Sequence, residues 1–390
     1  MRPTWAEVSL ATLRHNYRII KQHVGEAVTV CPVVKADAYG HGAVECARAL
    51  AAEGAAWFGV TCTEEGIALR EAGIDGRILL MTGFWRGDEQ DVIRHRLTPA
   101  VWEWWQVGGL EAGLNKAGDQ AQRPFPVHVK VDTGMARLGV PDYFMGLFLR
   151  RLKAAKDVEV EGLFSHLASA EVIDAPDVEA QTKLFAEFEE FARQNGFHPK
   201  YIHIANSAAV ASRSTLWRDL VRPGLSLYGY YLPFTSSDDG SLRTEHALPV
   251  EPVLSWKARV ISMRDIGEGH AVGYGGTFVA KRKTKLATLP VGYADGLNRK
   301  LSSPPDSYSG PRGRMIVRGR YAAIAGRVSM DVTLLDVTDI DGVSVGDEVT
   351  ILGSQGERSI SAQEHAEIVG TVPYEILCAI GKRVPRKYSE

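Results

Sequence analysis

Eight short apolar runs alternate with stretches of helical spacing over the first two thirds of this chain. The runs lie at residues 28–34, 56–60, 77–81, 97–101, 126–132, 158–164, 201–204 and 220–227. Strands that alternate with helices in this way are typical of a (β/α)8 barrel, a fold of about 250 residues. We therefore predict an α/β protein with an N-terminal TIM-type barrel at residues 9–245. The alternative is an open, doubly wound sheet, but no G-x-G-x-x-G motif follows the first strand, which weakens a dinucleotide-binding version.

Polar side chains stand at the predicted C-terminal ends of five of these strands. They are Lys35, Arg137, His166, Asn206 with Ser207, and Arg222. The C-terminal ends of barrel strands meet at one mouth, where active sites of this fold lie, so we expect these groups to cluster. Taken singly, each has a structural interpretation: the histidine as a satisfied internal residue, and the Asn-Ser pair as an ordinary helix cap.

Lys35 is the most informative member of this set. An amine at the end of a buried strand is poorly solvated, which lowers its pKa and lets it act as a nucleophile or a base. Such amines form Schiff bases with carbonyl compounds, pyridoxal phosphate (PLP) among them. The alternative is a lysine at a strand end that points into water.

Composition excludes several classes of function. A length of 390 residues suits two domains, and a net charge of −2 without a basic stripe gives no case for nucleic acid or an anionic membrane. The N-terminus lacks the apolar core of a signal peptide and no stretch is apolar enough to span a bilayer, so we expect a cytoplasmic protein. The cysteines have no metal or redox spacing, so we expect no metal site and four buried free thiols, Cys31, Cys46, Cys62 and Cys378.

The last third of the chain has a different pattern. Residues 254–260 alternate with period two, and glycine turns separate further strand-like runs. We predict a mainly-β domain over residues 246–390, with residues 1–8 pairing to it and a Pro/Ser/Gly loop at residues 302–313. Tyr274 and Tyr293 each stand in a glycine turn from which a tyrosine can protrude; the alternative is a ring packed over the turn.

A series of motifs along the whole chain resembles the alanine racemase family. In order, they are Lys35-Ala-Asp-Ala-Tyr39-Gly-His-Gly, Lys130-Val-Asp-Thr-Gly-Met-Ala-Arg137, Ser165-His166, His203-x-x-Asn206-Ser207, Arg222-Pro-Gly224, Gly-Tyr274-Gly, Gly-Tyr293-Ala-Asp-Gly, Met330-Asp331, Tyr374-Glu375 and Arg383-Val-Pro. One departure is Lys382, where some members carry tyrosine or serine; it puts substrate breadth in doubt.

This resemblance implies a PLP-dependent homodimer with shared active sites that interconverts L-alanine and D-alanine and supplies D-alanine for peptidoglycan. The implied cofactor-binding residues are Lys35, Tyr39, His166, Asn206, Ser207, Arg222, Gly224, Leu225 and Tyr374. The implied substrate-binding residues are Arg137, Tyr293, Met330 and Asp331. Lys35 and the partner subunit's Tyr274 would be the two bases, and Lys130 resembles a position that is carbamylated in some members.

The chemistry of racemisation agrees with two bases. A proton must leave one face of Cα and arrive at the other, which is simplest with a base on each face. Arg222 opposite a pyridine nitrogen would leave that nitrogen unprotonated, because arginine does not readily give up a proton, and this disfavours transamination. The alternatives are a racemase of broader specificity, for serine or basic amino acids, and a non-catalytic PLP-binding barrel, against which the β domain argues.

Overall fold

The structure, a computed structural model, describes residues 2–302 and 313–390 and divides into two compact units. The barrel unit comprises Leu13–Ala38 and Ala43–Val250. The β unit comprises residues 2–12, Tyr39–Gly42 and the described part of Glu251–Glu390. The Pro/Ser/Gly loop predicted at residues 302–313 lies, apart from its two end residues, outside the described residues.

The elements up to residue 250 alternate as the sequence predicted. The strands are β1 (Thr4–Ser9), β2 (Thr29–Val30), β3 (Trp57–Val60), β4 (Arg77–Leu80), β5 (Thr98–Val101), β6 (Phe125–Lys130), β7 (Val158–Phe164), β8 (Val172–Ile173), β9 (Tyr201–His203), β10 (Leu220–Val221) and β11 (Thr235–Ser236). The helices are α1 (Leu10–Val24), α2 (Lys35–Gly40), α3 (Ala43–Ala52), α4 (Thr63–Glu71), α5 (Glu89–Arg94), α6 (Trp104–Ala117), α7 (Asp142–Ala154), α8 (Pro176–Gln194) and α9 (Ser207–Ser212).

The strands of the barrel unit form a closed parallel array. Strands β3, β4, β5, β6, β7 and β9 pair in that order, and β10 pairs with β2. Two backbone hydrogen bonds close each of the two remaining seams. At one seam they run from Val34 N to Gly59 O (2.9 Å) and from Gly59 N to Pro32 O (2.8 Å). At the other they run from Asp219 N to Ile202 O (3.1 Å) and from Arg222 N to Ala205 O (3.0 Å). The predicted (β/α)8 barrel is therefore confirmed.

Burial explains why the sequences of these strands are continuous apolar runs. Helices cover a parallel barrel on the outside and side chains fill it on the inside, so both faces of each strand are buried. All residues of β3, β5 and β6 are buried. The interior nevertheless contains His128, Lys130 and His203, all of them buried polar side chains.

The segment after the first barrel strand differs from the prediction. We expected a strand over residues 28–34 and then an ordinary turn, but the regular strand is Thr29–Val30 and α2 begins directly at Lys35. Residues 36–39 have φ between 50° and 54°, so α2 is wound left-handed. Left-handed helix costs about 1–2 kcal/mol per L-residue, so local propensity does not predict it. Glu65 accepts a hydrogen bond from Ala36 N at 2.6 Å, and Asp37 accepts one from Ala43 N at 2.8 Å.

The β unit is built on one large mixed sheet, as the mainly-β prediction required. The further strands of the unit are β12 (Leu254–Arg259), β13 (Ser262–Ile266), β14 (Ala271–Val272), β15 (Phe278–Val279), β16 (Thr284–Leu289), β17 (Arg314–Val317), β18 (Arg320–Ile324), β19 (Thr333–Asp336), β20 (Glu348–Gln355), β21 (Arg358–Ile360) and β22 (Arg386–Ser389), with helices α10 (Ala362–Val369) and α11 (Pro373–Ala379). Strands β14 and β15 form a separate two-stranded sheet. Strand β1 lies in this sheet, antiparallel to β12 and parallel to β22.

Two other expectations can be compared with the structure. Cys31 and Cys46 are buried, but Cys62 and Cys378 are exposed, contrary to the prediction. Cys62 occupies the position just before α4 without a side-chain capping bond, and Cys378 lies near the end of α11, where an apolar pattern does not require burial. Among the described residues, no helix has the length and apolar character needed to cross a membrane.

Candidate active site

The charged residues predicted at the barrel mouth do lie together. Arg222, Arg137 and Lys35 all act electrostatically on Lys130, and the same three cations together with Lys130 act on His166. The strand ends that carry them belong to one parallel barrel, which is why residues far apart in sequence meet here. The mouth is therefore strongly cationic and suits an anionic ligand.

Lys130 is buried in this cluster at the end of β6. Its Nζ donates to Met81 O at 3.2 Å and lies 5.1 Å from the centre of the Phe164 ring. Burial, reinforced by the three neighbouring cations, lowers the pKa of Lys130 to about 7. A substantial fraction of this amine is therefore neutral at neutral pH.

His166 follows β7, and the side chain of Gln181 on α8 binds the backbone of this segment. Gln181 Nε2 donates to His166 O at 3.0 Å, and Gln181 Oε1 accepts from Ala168 N at 2.9 Å. Burial and the surrounding cations hold the pKa of His166 well below its ordinary value. The imidazole is therefore neutral and can influence a neighbour by hydrogen bonding, not as a cation.

Arg222 is held in place by three hydrogen bonds. It is buried, and its Nη2 donates to Ser165 O at 2.7 Å and to Ile204 O at 3.2 Å. Its Nη1 donates to His203 Nδ1 at 2.5 Å. Burial lowers the pKa of Arg222 to about 10, so the guanidinium remains protonated at neutral pH.

A small polar cradle lies where α9 begins. Asn206 is the N-cap of α9, since its side chain accepts from Ala209 N at 3.1 Å. Ser207 Oγ accepts from Gly224 N at 2.8 Å and from Ser226 N at 3.3 Å. Backbone N–H groups and a hydroxyl that converge in this way suit a phosphate. Leu225, the remaining residue predicted here, is buried in the short turn Leu225–Tyr228.

Arg137 is exposed on the loop that follows β6. Asp132 Oδ1 accepts from Gly134 N at 3.0 Å and from Ala136 N at 3.1 Å, which closes the loop on itself. A side chain on Gly139 would lie 2.5 Å from the backbone of Asp132, so the loop returns in close contact with its own start. The exposed Arg137 is thus presented by a well-defined loop.

The β unit holds the other predicted residues. Tyr39 and Tyr374 are neighbours there, with ring centroids 5.8 Å apart. Tyr274 is 70% exposed at the tip of the β14–β15 hairpin. Gly273 and Gly275 flank it with φ of 71° and 73°, a conformation that favours glycine and makes the tyrosine protrude.

Tyr293 and the Met330-Asp331 pair lie on two loops that are bonded to each other. Tyr293 N donates to Ser329 O at 3.0 Å, and Ala294 N donates to Met330 O at 3.0 Å. The structure therefore brings Tyr293, Met330 and Asp331 together, with Tyr293 and Met330 both exposed.

Asp295 anchors these two loops, a role that sequence reasoning missed. Its carboxylate is fully buried and accepts from Arg2 Nη1 at 2.8 Å, and Arg383 Nε lies 3.3 Å from it. Arg2 also donates to Asp331 O at 2.8 Å, and Arg383 donates to Asp331 Oδ1 at 2.6 Å. The sequence feature that could have indicated this role is a carboxylate inside the glycine turn after Tyr293, together with an arginine near each end of the chain.

The fold and these residues define a class, a barrel enzyme with a lysine–arginine mouth and an appended β domain. The chain matches the family descriptions "Alanine racemase, N-terminal domain" over residues 8–232 and "Alanine racemase, C-terminal domain" over residues 253–388. It is 40% identical over 391 residues to an alanine racemase of Geobacter sulfurreducens, covering 99% of this chain and 97% of that protein.

Solved structures agree with the sequence comparison. The alanine racemase of a D-cycloserine-producing Streptomyces lavendulae superimposes with a TM-score of 0.90 at 33% identity, covering 100% of this chain and 98% of that one. The Bacillus anthracis alanine racemase with bound L-Ala-P gives 0.88 at 30% identity, covering 100% and 96%. The chain belongs to the alanine racemase family, whose members are isomerases.

Proposed function

We propose that this protein is a PLP-dependent racemase that interconverts L-alanine and D-alanine and so supplies D-alanine for peptidoglycan. The observation that carries the proposal is the cationic mouth, where Lys35 shares an electrostatic cluster with the buried, fully constrained Arg222. Homologues that carry the name alanine racemase over the full length of the chain support the same reaction.

The residues present fit PLP. The N–H groups of Gly224 and Ser226 converge on the hydroxyl of Ser207, and these are the kinds of donor with which proteins bind phosphate. Tyr39 and Tyr374 would add phenolic hydroxyls as donors to the phosphate, and Asn206 and Leu225 would be the remaining cofactor-binding residues here. Lys35 would hold the cofactor through its amine. When bound, PLP withdraws electrons from the substrate Cα and makes its hydrogen acidic.

Arg222 would act as a hydrogen-bond donor toward the pyridine nitrogen. With a pKa of about 10 it keeps its proton at neutral pH, and three acceptors fix its orientation. A donor that does not release its proton limits how far negative charge spreads into the ring. This favours return of the proton to Cα over competing reactions.

Two bases would move the Cα proton. Lys35 would serve one face and the partner subunit's Tyr274 the other, in a homodimer with shared sites. The high exposure of Tyr274 on its hairpin supports a use outside its own chain. As a base, Tyr274 would act as its phenolate anion, which needs polar neighbours that stabilise it. The cation Arg222 and the neutral His166 are candidates for that role.

Lys130 has the protonation state that carbamylation requires. Its neutral amine would attack the carbon of carbon dioxide, form an N–C bond and release a proton, leaving a carbamate anion. That anion would offset part of the positive charge of Arg222, Arg137 and Lys35 around it. It would also brace Arg137, which we place at the substrate carboxylate.

The pocket for the substrate side chain would be small. Tyr293, Met330 and Asp331 lie together and would narrow the entrance and the pocket. A racemase of broader specificity shares this arrangement, and Lys382 is the residue that leaves substrate breadth open.

An assay with a panel of L-amino acids tests the proposal. The full-length protein with added PLP is expected to racemise L-alanine, to exchange the Cα hydrogen for deuterium and to absorb visible light. Lys35→Ala is expected to lose all three properties, whereas the control Lys116→Ala, at an exposed position on α6, is expected to retain them. A wild-type protein that exchanges no hydrogen at Cα would exclude racemase activity, and faster turnover of serine or lysine would favour the broad-specificity alternative.

A further inference from the structure

A line of polar side chains crosses the barrel interior and begins at Arg222. Apart from Arg222, the proposed reaction uses none of these side chains directly. The line runs from Arg222 through His203 and His128 to Glu161 and Arg77. Both imidazoles are fully buried. Barrel interiors are usually filled by branched apolar side chains, so this line requires a physical explanation.

Three of the four contacts along the line are within hydrogen-bond distance, and the fourth, between His128 Nε2 and Glu161, is a longer electrostatic contact. Arg222 Nη1 lies 2.5 Å from His203 Nδ1, and His203 Nε2 lies 2.8 Å from His128 Nδ1. His128 Nε2 then faces Glu161 Oε2 at 3.7 Å. Arg77 contacts both oxygens of Glu161, at 2.9 and 2.5 Å, and its own side chain is 38% exposed. The line therefore connects the mouth with the solvent-exposed side of β4.

The local backbone is arranged around this line. The pairing of β6 with β7 shifts register at His128, since Val127 pairs with Val160 but His128 pairs with Gly162. Glu161 is thus an extra residue in β7, and an irregularity of this kind redirects a side chain. The glycine at position 162 leaves the space that the imidazole of His128 occupies.

The hydrogen bonds from Arg222 to His203 and from His203 to His128 are donated in the same direction along the line. A guanidinium can only donate, so His203 Nδ1 accepts from Arg222 and the His203 proton is on Nε2. That proton is donated to His128 Nδ1, which places the His128 proton on Nε2, facing Glu161. Burial lowers the pKa of both histidines, and Arg222 lowers them further, in agreement with two neutral rings.

We propose that His128, Glu161 and Arg77 are positioning residues for Arg222, on which they act through His203. The proposal rests on the proposed function in so far as Arg222 is the donor toward the cofactor. A second proton on His128 would sit on Nδ1 and force the His203 proton onto its own Nδ1. Two donors would then face each other at Arg222, and the guanidinium would move.

Arg77 disfavours the binding of that second proton to His128. It satisfies the Glu161 carboxylate, which would otherwise attract a proton to His128. The charged or titratable groups that face His128 are Glu161 from β7, Arg77 from β4, His203 and Tyr201 from β9, and Arg222 beyond β10. Lys130 on the same strand acts on His203. Of all these groups, Glu161 is the one that favours a proton on His128.

Side-chain 15N NMR of the full-length protein, labelled at histidine, tests the proposal with and without added PLP. The wild type is expected to show His128 and His203, identified through His128→Gln and His203→Gln, as neutral rings with the proton on Nε2. In Arg77→Leu, the uncompensated Glu161 is expected to raise the pKa of His128 into the range of about 5–8. The double variant Arg77→Leu/Glu161→Gln removes that charge and is expected to restore the neutral ring.

Activity follows the same pattern if Arg222 is the residue being positioned. Relative to wild type, Arg77→Leu is expected to lose about tenfold in kcat/KM near pH 6 and much less near pH 9, because His128 titrates between them. The double variant is expected to stay within about threefold at both pH values. A proton on Nδ1 of either ring in the wild type, or an unshifted His128 in a folded Arg77→Leu, would overturn the proposal. A protein with the expected NMR signals but no racemisation would refute the proposed function alone.

Discussion

The imidazole of His128 lies directly against the backbone of Gly162, on the neighbouring strand of the barrel. A Cβ atom at position 162 would be 2.5 Å from His128 Nδ1 and 2.6 Å from two other ring atoms. Since the ring is enclosed by Trp57, Tyr201 and His203, it cannot turn away. The observed position of the His128 ring therefore requires a glycine at position 162.

Gly162→Ala tests this relationship. The added methyl group should displace the His128 ring and lower the free energy of unfolding by about 1–3 kcal/mol through overpacking. Denaturant unfolding measures the loss, and a change in the His128 15N signal reports the displaced ring.

A matched control is Gly108→Ala in α6, where a Cβ meets nothing within 4 Å. There the substitution should be neutral or stabilise by up to about 1 kcal/mol through helix propensity. Equal stability of the two alanine variants would contradict the close contact at Gly162.

Mixed dimers test whether the active sites are shared. Lys35→Ala and Tyr274→Phe should each be nearly inactive alone, because each lacks one base at every site. Dissociated and reassociated in equal amounts, they should recover about a quarter of wild-type activity, since half of the dimers are mixed and each has one intact site.

The control is a mixture of Lys35→Ala with the double variant Lys35→Ala/Tyr274→Phe, which contains no intact site in any combination. It should remain inactive. If the first mixture also remained inactive while size-exclusion chromatography showed mixed dimers, Tyr274 would act within its own subunit.

The depressed pKa of Lys130 predicts a dependence of stability on pH. The folded protein releases this proton at a pKa of about 7, whereas the ordinary value is 10.5. Between these values the unfolded chain binds more protons, so the free energy of unfolding should rise with pH, by at most about 5 kcal/mol from this group. Lys130→Met should lack this rise, as measured by urea unfolding in buffer free of carbon dioxide.

Added bicarbonate supplies the second half of the same experiment. Near neutral pH the wild type should gain stability as the carbamate forms, and 13C-labelled bicarbonate should give a carbamate resonance that Lys130→Met lacks. An unchanged pH slope in Lys130→Met would show that another group is responsible for the titration.

Asp295→Asn should loosen the two loops that carry Tyr293 and Met330. Removing the carboxylate charge weakens the bonds from Arg2 and Arg383, at a cost of about 1–3 kcal/mol. The KM for alanine is expected to rise more than kcat falls, because in the proposed function these loops shape the substrate pocket and neither of them carries a base.

Asp339→Asn is the corresponding control, since Asp339 pairs with Arg282 on an exposed surface. Exposed pairs contribute about 0–1 kcal/mol, so this variant should retain both stability and kinetics. A fall in kcat without a change in KM for Asp295→Asn would exclude the positioning role of Asp295.

Much of the fold was predictable because the burial of strands leaves a local pattern of apolar residues in the sequence. The eight apolar runs follow from strands that are buried on both faces, and the period-two alternation at residues 254–260 follows from β12, where alternate residues are buried. The position of Lys35 directly at a strand end was not predicted correctly, because the regular strand is Thr29–Val30 and Lys35 begins α2. The exposure of Cys62 and Cys378 was not predicted either, since an apolar neighbourhood in sequence does not specify which face is covered.

The sequence by itself determined the barrel, the β domain and the family, and it predicted the residues of the active site. The tertiary structure alone decided how those residues are held. The left-handed turn at residues 36–39 opposes local propensity and is held by Glu65, distant in sequence. Asp295 meets Arg2 across 293 residues, and His128 meets His203 across 75. Such contacts depend on chain segments that meet only after folding, so they leave no periodic pattern in the sequence.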